Sequence, residues 1–569
     1  MAGRATRVVA PWATSTYDYS TMTGQLVSSS RDGQRLDWRY DGMLAVHESA
    51  SGVVSGRISR RYDEDFRVVE LAVNDAGISY AYDDDGLLTA AGPVVMVRSA
   101  TTGQLQTATT GPVTTAYTYD TYGAPASIET RVGSTVVFRE ALTWDDIGRI
   151  TAKDVAVQGT SNRWEYAYDS ASRLSQVRRD GQSVGVWAYD GNGNRVSADG
   201  VAATFDAQDR HLTSGAVTFG HDAFGNRTRK TEGTQVTHYV YDGVGGLLSA
   251  TLPDSTRLEY VIDSRGRRVG KKRNGSLEKG WLYDGQLRIV AELDGSGAVA
   301  SRFIYGTLSH SPDVMVRGGV AYRYVHDVLG SVRLVINTAT SQVAQRLDYD
   351  SWGAITSDSS PGFQPFGFAG GLYDLDTGLT RFGARDYDAV EGRWTSKDPI
   401  GFSGSSGNLY AYVDSRPSSA FDSSGLEIEA GSSCSSATDP KLKELIKKMN
   451  KNIKKGKLSS RCSKILDDFN ISNIAVSSFP YTIECSDKDI LPDCGGGSEG
   501  SPECGQANSE SRCATVNTNP KRKGCERKSI AKRVLHEIGH LGRQRNQHVR
   551  GDDESWSELE SCAGEVVGE

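Results

Sequence analysis

Cysteine is missing from the first 426 of 569 residues; all eight (434, 462, 485, 494, 504, 513, 525 and 562) lie behind them. The larger part of the chain therefore holds its fold without disulfides, and the change in usage marks a boundary between two modules. Proline is scarce, 15 residues against 63 glycines, which excludes a collagenous or Pro-rich extended chain and fits a turn-rich globular one. No apolar run approaches the roughly 20 residues of a membrane-spanning helix. The opening Met1-Ala-Gly-Arg-Ala-Thr-Arg-Val-Val-Ala-Pro11 has no sustained apolar stretch either, so no signal peptide can be read. Lysine is nearly absent up to Leu426, with 6 residues, against 14 in the last 143. Lys plus Arg against Asp plus Glu is 42 to 49 before the boundary and 22 to 22 after it. Neither half carries the basic excess by which a nucleic-acid effector neutralises phosphates, so nucleic acid is not the expected partner.

What is abundant is an aromatic or bulky residue followed by aspartate. It recurs at Tyr82-Asp83, Tyr119-Asp120, Trp144-Asp145, Tyr168-Asp169, Tyr189-Asp190, Phe205-Asp206, Tyr241-Asp242, Ile262-Asp263, Tyr283-Asp284 and Tyr349-Asp350. The clearest units are Trp187-Ala-Tyr-Asp-Gly-Asn-Gly-Asn-Arg195 and Tyr239-Val-Tyr-Asp-Gly-Val-Gly-Gly-Leu247. Alternating aromatics place their rings on one strand face, and Asp with Gly supplies a tight turn, so each unit reads as a β-hairpin. One hairpin cannot bury its aromatic face alone, so neighbours must stack into a continuous sheet.

These units resemble the YD repeats of Rhs proteins, of the C components of insecticidal Tc toxins and of teneurins, over about residues 15 to 360. The resemblance implies a mainly β architecture: hairpins wound into a hollow shell over 1–365. About 350 residues is short for a closed shell, so the expectation is either a piece of a longer chain or a partial shell. Gly367-Phe-Ala-Gly-Gly-Leu372, Arg385-Asp386-Tyr387-Asp388, Gly392-Arg-Trp394, Asp398-Pro-Ile-Gly401 and Asp422-Ser-Ser-Gly-Leu426 resemble the Rhs core, here 366–426. That implies an aspartyl autoprotease with Asp386 and Asp398 as catalytic carboxylates, Arg385 as their supporting cation and Leu426-Glu427 as the bond cut. Two carboxyls sharing one proton suit such chemistry, since one activates water while the other protonates the leaving amide. The compositional break falls at the same bond. Ser423 stands where that family usually has proline.

The last module, 427–569, is expected to be a small α+β, mostly helical domain. Leu442, Leu445, Ile446, Met449 and Ile453 recur at helical spacing with lysines between them, which predicts an amphipathic helix over 441–455. The cysteines form no Cys-x2-Cys pair, which argues for disulfides and an oxidising destination rather than a zinc ribbon. The chemical signal is His536-Glu537-Ile-Gly-His540 within a helical apolar pattern ending near Gly542. On a helix the two histidines share a face and can bind one Zn2+, with Glu537 beside the open position as general base for peptide hydrolysis. A third ligand is needed. Glu560 is the first choice, because Glu560-Ser-Cys-Ala563 resembles the Glu-x-x-Ala of gluzincin-like peptidases; His548 and Glu558 are alternatives. Asn546 stands where the metzincin spacing demands histidine.

The combined expectation is a secreted Rhs-type toxin delivered into a competitor or host cell. Its shell would cut itself and free a zinc metallopeptidase acting on a protein substrate, with a cognate immunity protein and a secretion-system component as partners and no membrane span. The competing readings are a teneurin-like adhesion shell with a binding tail, and a metal-dependent hydrolase of a non-protein substrate.

Overall fold

A computed structural model describes residues 4–404, 406–430, 482–486, 505–508 and 513–517. The chain divides into two compact units, 1–432 and 433–569. In the first, thirty-five strands from β1 (Arg7–Ala10) to β35 (Ile355–Asp358) make one sheet, each pairing antiparallel with its neighbour in sequence. The period-2 pattern is visible along Gln34–Asp41, where Gln34, Leu36 and Trp38 are buried and Arg35 and Arg39 exposed.

The meander is layered over itself. Val54, Ile58 and Leu71 pack against Val269, Trp281 and Leu282. Ile78, Val94 and Met96 meet Ile304 and Val314, and Val113, Ile128 and Phe138 meet Leu334 and Ile336. Ion pairs cross between the layers: the half-buried Arg60 with Asp284 at 2.6 Å, and the buried Arg267 with Glu48 at 2.9 Å and Arg31 with Asp242 at 3.1 Å. Two sheet faces meeting in this way supply the apolar core that one hairpin lacks.

The Tyr-Asp unit does more than turn the chain. Asp263 accepts the N–H groups of Arg265 and Arg267 on one oxygen, at 2.9 and 3.0 Å, and the Arg267 Nε–H on the other at 2.7 Å. Gly266 completes the turn at φ +77°, a conformation that costs glycine little. The Arg267 guanidinium then stacks over the Tyr283 ring at 5.3 Å, and Tyr283 Oη donates to the Arg268 carbonyl at 2.8 Å. The same links recur at other turns of the repeat: Arg149 bonds Asp145 and covers Tyr168, while Arg173 bonds Asp169 and covers Tyr189. Each of these turns is thereby fastened to the next repeat by an arginine four residues after its aspartate.

Residues 366–426 belong to the same unit. Four short strands, β36 (Leu372–Asp374), β37 (Leu379–Phe382), β38 (Arg385–Asp388) and β39 (Arg393–Trp394), make a small antiparallel sheet. Phe368, Phe382, Tyr387, Trp394 and Tyr412 form an aromatic cluster, with the Tyr387 and Tyr412 rings 4.2 Å apart. The segment docks on the turn ends of the repeats: Tyr410 Oη donates to the Gly225 carbonyl, Ser396 Oγ to that of Gly245, and Asn408 Nδ2 to Asn194. A last pair, β40 (Ala420–Phe421) and β41 (Glu429–Ala430), closes the unit.

In the second unit the described strands are β42 (Thr482–Ser486), β43 (Gly505–Asn508) and β44 (Cys513–Asn517); β44 pairs parallel with β42 and antiparallel with β43. The helices expected at 441–455 and before Gly542 lie outside the described residues, as do the cysteine side chains. Among the described residues no helix is long and apolar enough to cross a membrane.

Asp263→Ala leaves Arg267, 2% exposed in its side chain, with Glu48 but without its turn partner, and should destabilise the first unit by about 2 to 3 kcal/mol. Asp294→Ala, at a solvent-facing turn of the same kind, should shift the urea midpoint far less. Equal shifts would show that the arginine link contributes nothing.

Candidate active site

Between the aromatic cluster and the end of the first unit, the chain passes close to itself. β37 turns through Gly383 and Ala384 into β38, with Phe382 paired to Arg385. The segment 422–427 threads past this turn: Ala384 N–H donates to the Ser424 carbonyl at 2.8 Å. Gly425, at φ +68°, has no room for a Cβ, which would meet the Phe382 carbonyl oxygen and the Arg385 nitrogen. Downstream, β41 pairs with β40. Ile428 packs on the aromatic cluster. The 426–427 peptide therefore lies in a hairpin loop pinned on both flanks.

Successive residues of a strand face opposite ways, and this separates Arg385 from Asp386. Arg385 lies over the Trp394 ring at 4.2 Å and turns to the loop. Its Nη2 is 2.9 Å from Asp398 Oδ2 and 3.4 Å from Asp422 Oδ2, and its Nε–H donates to the Gly425 carbonyl at 2.5 Å. Asp386 points to the other side, wholly buried between Arg268 and Arg381 at 2.8 to 3.0 Å. The structure thus brings together Arg385, Asp398, Leu426 and Glu427, and does not bring Asp386 to them. The carboxylate beside Asp398 is Asp422.

Asp422 holds the peptide directly. Its Oδ1 accepts the Leu426 N–H at 3.1 Å, the Glu427 N–H at 3.2 Å and the Ser424 hydroxyl at 3.0 Å. Asp398 is on the carbonyl side: a Cβ placed on Gly404 would sit 2.8 Å from Asp398 Oδ2 and 3.0 Å from the Leu426 carbonyl oxygen. Asp398 is itself held by the Ile400 N–H at 2.9 Å. A cavity of about 10 Å³ is lined by Arg385, Asp398, Gly404, Asp422 and Leu426, room for about one water. Burial pushes the Asp422 carboxyl up to about 6, against the pull of Arg385 and of the donors from Ser424 and Leu426. Asp398 is raised too, chiefly by burial, with Arg385 opposing and Asp422 adding to the rise. One guanidinium between two buried carboxyls favours a pair that keeps one proton.

Motif matching includes Asp422 but gives it no role, and it passes over Gly404. The signal for Asp422 is its spacing of four from Leu426, the spacing at which the repeat aspartates bind backbone N–H groups. His536, Glu537, His540, His548, Glu558 and Glu560 lie outside the described residues. Among the described residues, no group of three or more His, Cys, Asp or Glu is placed to hold a metal.

Comparison with known proteins agrees with this architecture. The human Teneurin-4 sequence is 26% identical over 408 residues, covering 67% of this chain and 14% of that protein. The tRNA3(Ser)-specific nuclease WapA of Bacillus spizizenii is 28% identical over 291 residues, 46% of this chain and 12% of that one. The chain thus spans a small part of the relatives it matches. Among solved structures, TcdB2-TccC3 without its hypervariable C-terminal region superposes with a TM-score of 0.59 at 17% identity, covering 73% of this chain and 26% of that one. The Photorhabdus luminescens Tc holotoxin pore gives 0.57 at 16%, with 73% and 26% covered. The Teneurin YD-shell family model matches residues 1–411, and with the layered sheet and its Tyr-Asp turns this places the chain in the YD-shell family.

Proposed function

We propose that this chain is a secreted, delivered toxin whose YD shell cuts its own 426–427 peptide and frees a C-terminal zinc-dependent peptidase. The observation that carries the first part is the placement of one peptide bond. Its nitrogen is bound by Asp422, its carbonyl lies on the Asp398 side, and a water-sized cavity adjoins both. In this reading Asp398 takes a proton from the water as its oxygen adds to the Leu426 carbonyl carbon. The carbon–nitrogen bond breaks, and Asp422 gives its proton to the Glu427 nitrogen, leaving a carboxyl on Leu426 and an amine on Glu427. Arg385 keeps one carboxyl ionised and holds the turn. Asp386 serves the fold, neutralising Arg268 and Arg381.

For the freed segment, the support is the donor set of His536 and His540 with Glu560, or with His548 or Glu558, which fits Zn2+. Bound there, the metal would acidify a water and polarise a carbonyl, and Glu537 would act as base. A protein in the target cell is the substrate class that this pattern favours, with an immunity protein protecting the producer and a secretion apparatus delivering the chain. Likeness of fold to a chain of the Photorhabdus luminescens Tc holotoxin pore supports the toxin reading. The relation to Teneurin-4 supports a second one, an extracellular shell with a binding tail, and the nuclease among the relatives keeps a non-protein substrate in play.

Denaturing electrophoresis with intact mass should show fragments 1–426 and 427–569 in place of the 61.4 kDa chain. Asp398→Asn and Asp422→Asn should each leave one uncut species, and Gly404→Ala, crowding the carbonyl, should slow the cut about a hundredfold. Asp386→Asn should instead lower the melting temperature, since it leaves two buried arginines with no full counter-charge. An uncut wild-type chain overturns the autoprotease reading. The sign of the pH effect follows from the raised Asp422 carboxyl: as proton donor it is competent below about 6, so the rate should fall as pH rises through that value.

Purified protein should carry about one zinc per chain, lost in His536→Ala and retained without peptidase activity in Glu537→Gln. Metal-free wild type would favour the binding tail. Zinc with turnover of another substrate class would replace the peptidase.

A further inference from the structure

The hairpin holding the 426–427 peptide is closed from its downstream side by a residue that the chemistry above does not use. Glu429 pairs with Phe421 across β40 and β41. Its Oε1 accepts the Ser423 backbone N–H at 3.2 Å and also the Ser423 hydroxyl. Ser423 directly follows Asp422, and the Ser424 hydroxyl donates to the Asp422 oxygen that holds the Leu426 and Glu427 N–H groups. The turn that orients Asp422 is thus gripped from inside by its own donors and from outside by Glu429.

We propose that Glu429 is a positioning residue for the self-cleavage: by binding the Ser423 N–H and hydroxyl together it fixes the Asp422 turn, so that the segment to be freed carries part of the apparatus that frees it. This rests on the autoprotease reading and extends it past the bond cut. No proline is available at 423 to stiffen the turn through its ring, and the double hydrogen bond from Glu429 supplies the restraint instead. Glu429 also acts through its charge. The groups around Asp422 are Arg385 and Asp398 on one side and Glu429 on the other, with the buried Tyr412 ring beside them. A negative Glu429 favours the protonated Asp422, the form that donates to the leaving nitrogen, while burial favours it most and Arg385 opposes it. Burial raises Glu429 itself, and its bonds to Ser423 restrain that rise.

The test follows cleavage of the full chain after a cell-free translation pulse, chased into buffers from about pH 5 to 8 and read on denaturing gels, a range that brackets the carboxyl titration. Glu429→Ala and Ser423→Ala should slow the cut about tenfold by loosening the turn. Glu429→Gln can still accept both hydrogen bonds, so it should keep the rate within about twofold at the acid end of the range. Its loss of rate with rising pH should begin at lower pH than in the wild type, because Asp422 has lost its negative neighbour. A purely structural residue would not move that limb. Wild-type rates in Glu429→Ala and Ser423→Ala, or an unmoved limb in Glu429→Gln, overturn the proposal while leaving the autoprotease reading intact. A wild-type chain uncut at every pH overturns both. Should Glu429→Ala fail to give a cooperative melt, the limb of Glu429→Gln decides.

Discussion

One interaction underlies both the architecture and the candidate chemistry: an aspartate oxygen accepting backbone N–H groups a few residues ahead of it. In the repeats it makes the turn, as at Asp169, which binds the N–H groups of Ala171 and Arg173. At 422 it makes the loop that displays the 426–427 peptide. The difference lies in what meets the second oxygen. Asp169 faces the arginine of its own turn, and although burial pushes upward, bonds from Arg173 hold it below the ordinary carboxylate range. Asp422 shares its arginine with Asp398 in a more enclosed setting, and burial prevails. The same local geometry serves as a fastening where its charge is matched one to one and as a proton store where two acids share one cation.

An arginine four residues past the aspartate, as at Asp145, Asp169 and Asp263, is one of the devices that hold the thirty-five strands together without disulfides. Where it occurs, it joins an ion pair in its own turn to a ring contact in the next, so those neighbouring repeats are tied locally while the two faces close over apolar side chains. Few exposed charges take part in the links between layers. Arg267, Asp263 and Glu48 are all buried, and a charge of that kind is tolerable only when its partners are in place.

Much of this was readable from letters alone, and the reason is periodicity. Tyr-x-Tyr-Asp followed by glycine states a strand, a face and a turn within a few residues, so the mainly β sheet of hairpins follows from local chemistry. The layering of strands near Ile58 on those near Leu282 does not, because it depends on curvature summed over many hairpins. At the candidate site, Arg385, Asp398 and the 426–427 bond were legible as a motif. Asp386 was not separable from Arg385 in the string, since alternation on a two-faced strand becomes visible only when the neighbours Arg268 and Arg381 are known to fill the other face. The role of Asp422, and Gly404 altogether, were hidden for a related reason. Their importance comes from distances across a loop, whereas the motif was read along it.

The pairing of β40 with β41 bears on what would follow the proposed hydrolysis. A nick at 426–427 would fall in the loop of that hairpin and leave intact the pairing of its two strands and the seat of Ile428 on the aromatic cluster. Covalent severance and physical departure would then be two events with separate barriers. A two-stranded ribbon this short is marginal in water, so its grip on the new terminus is of the kind that a modest pull, or a change in surroundings, can undo.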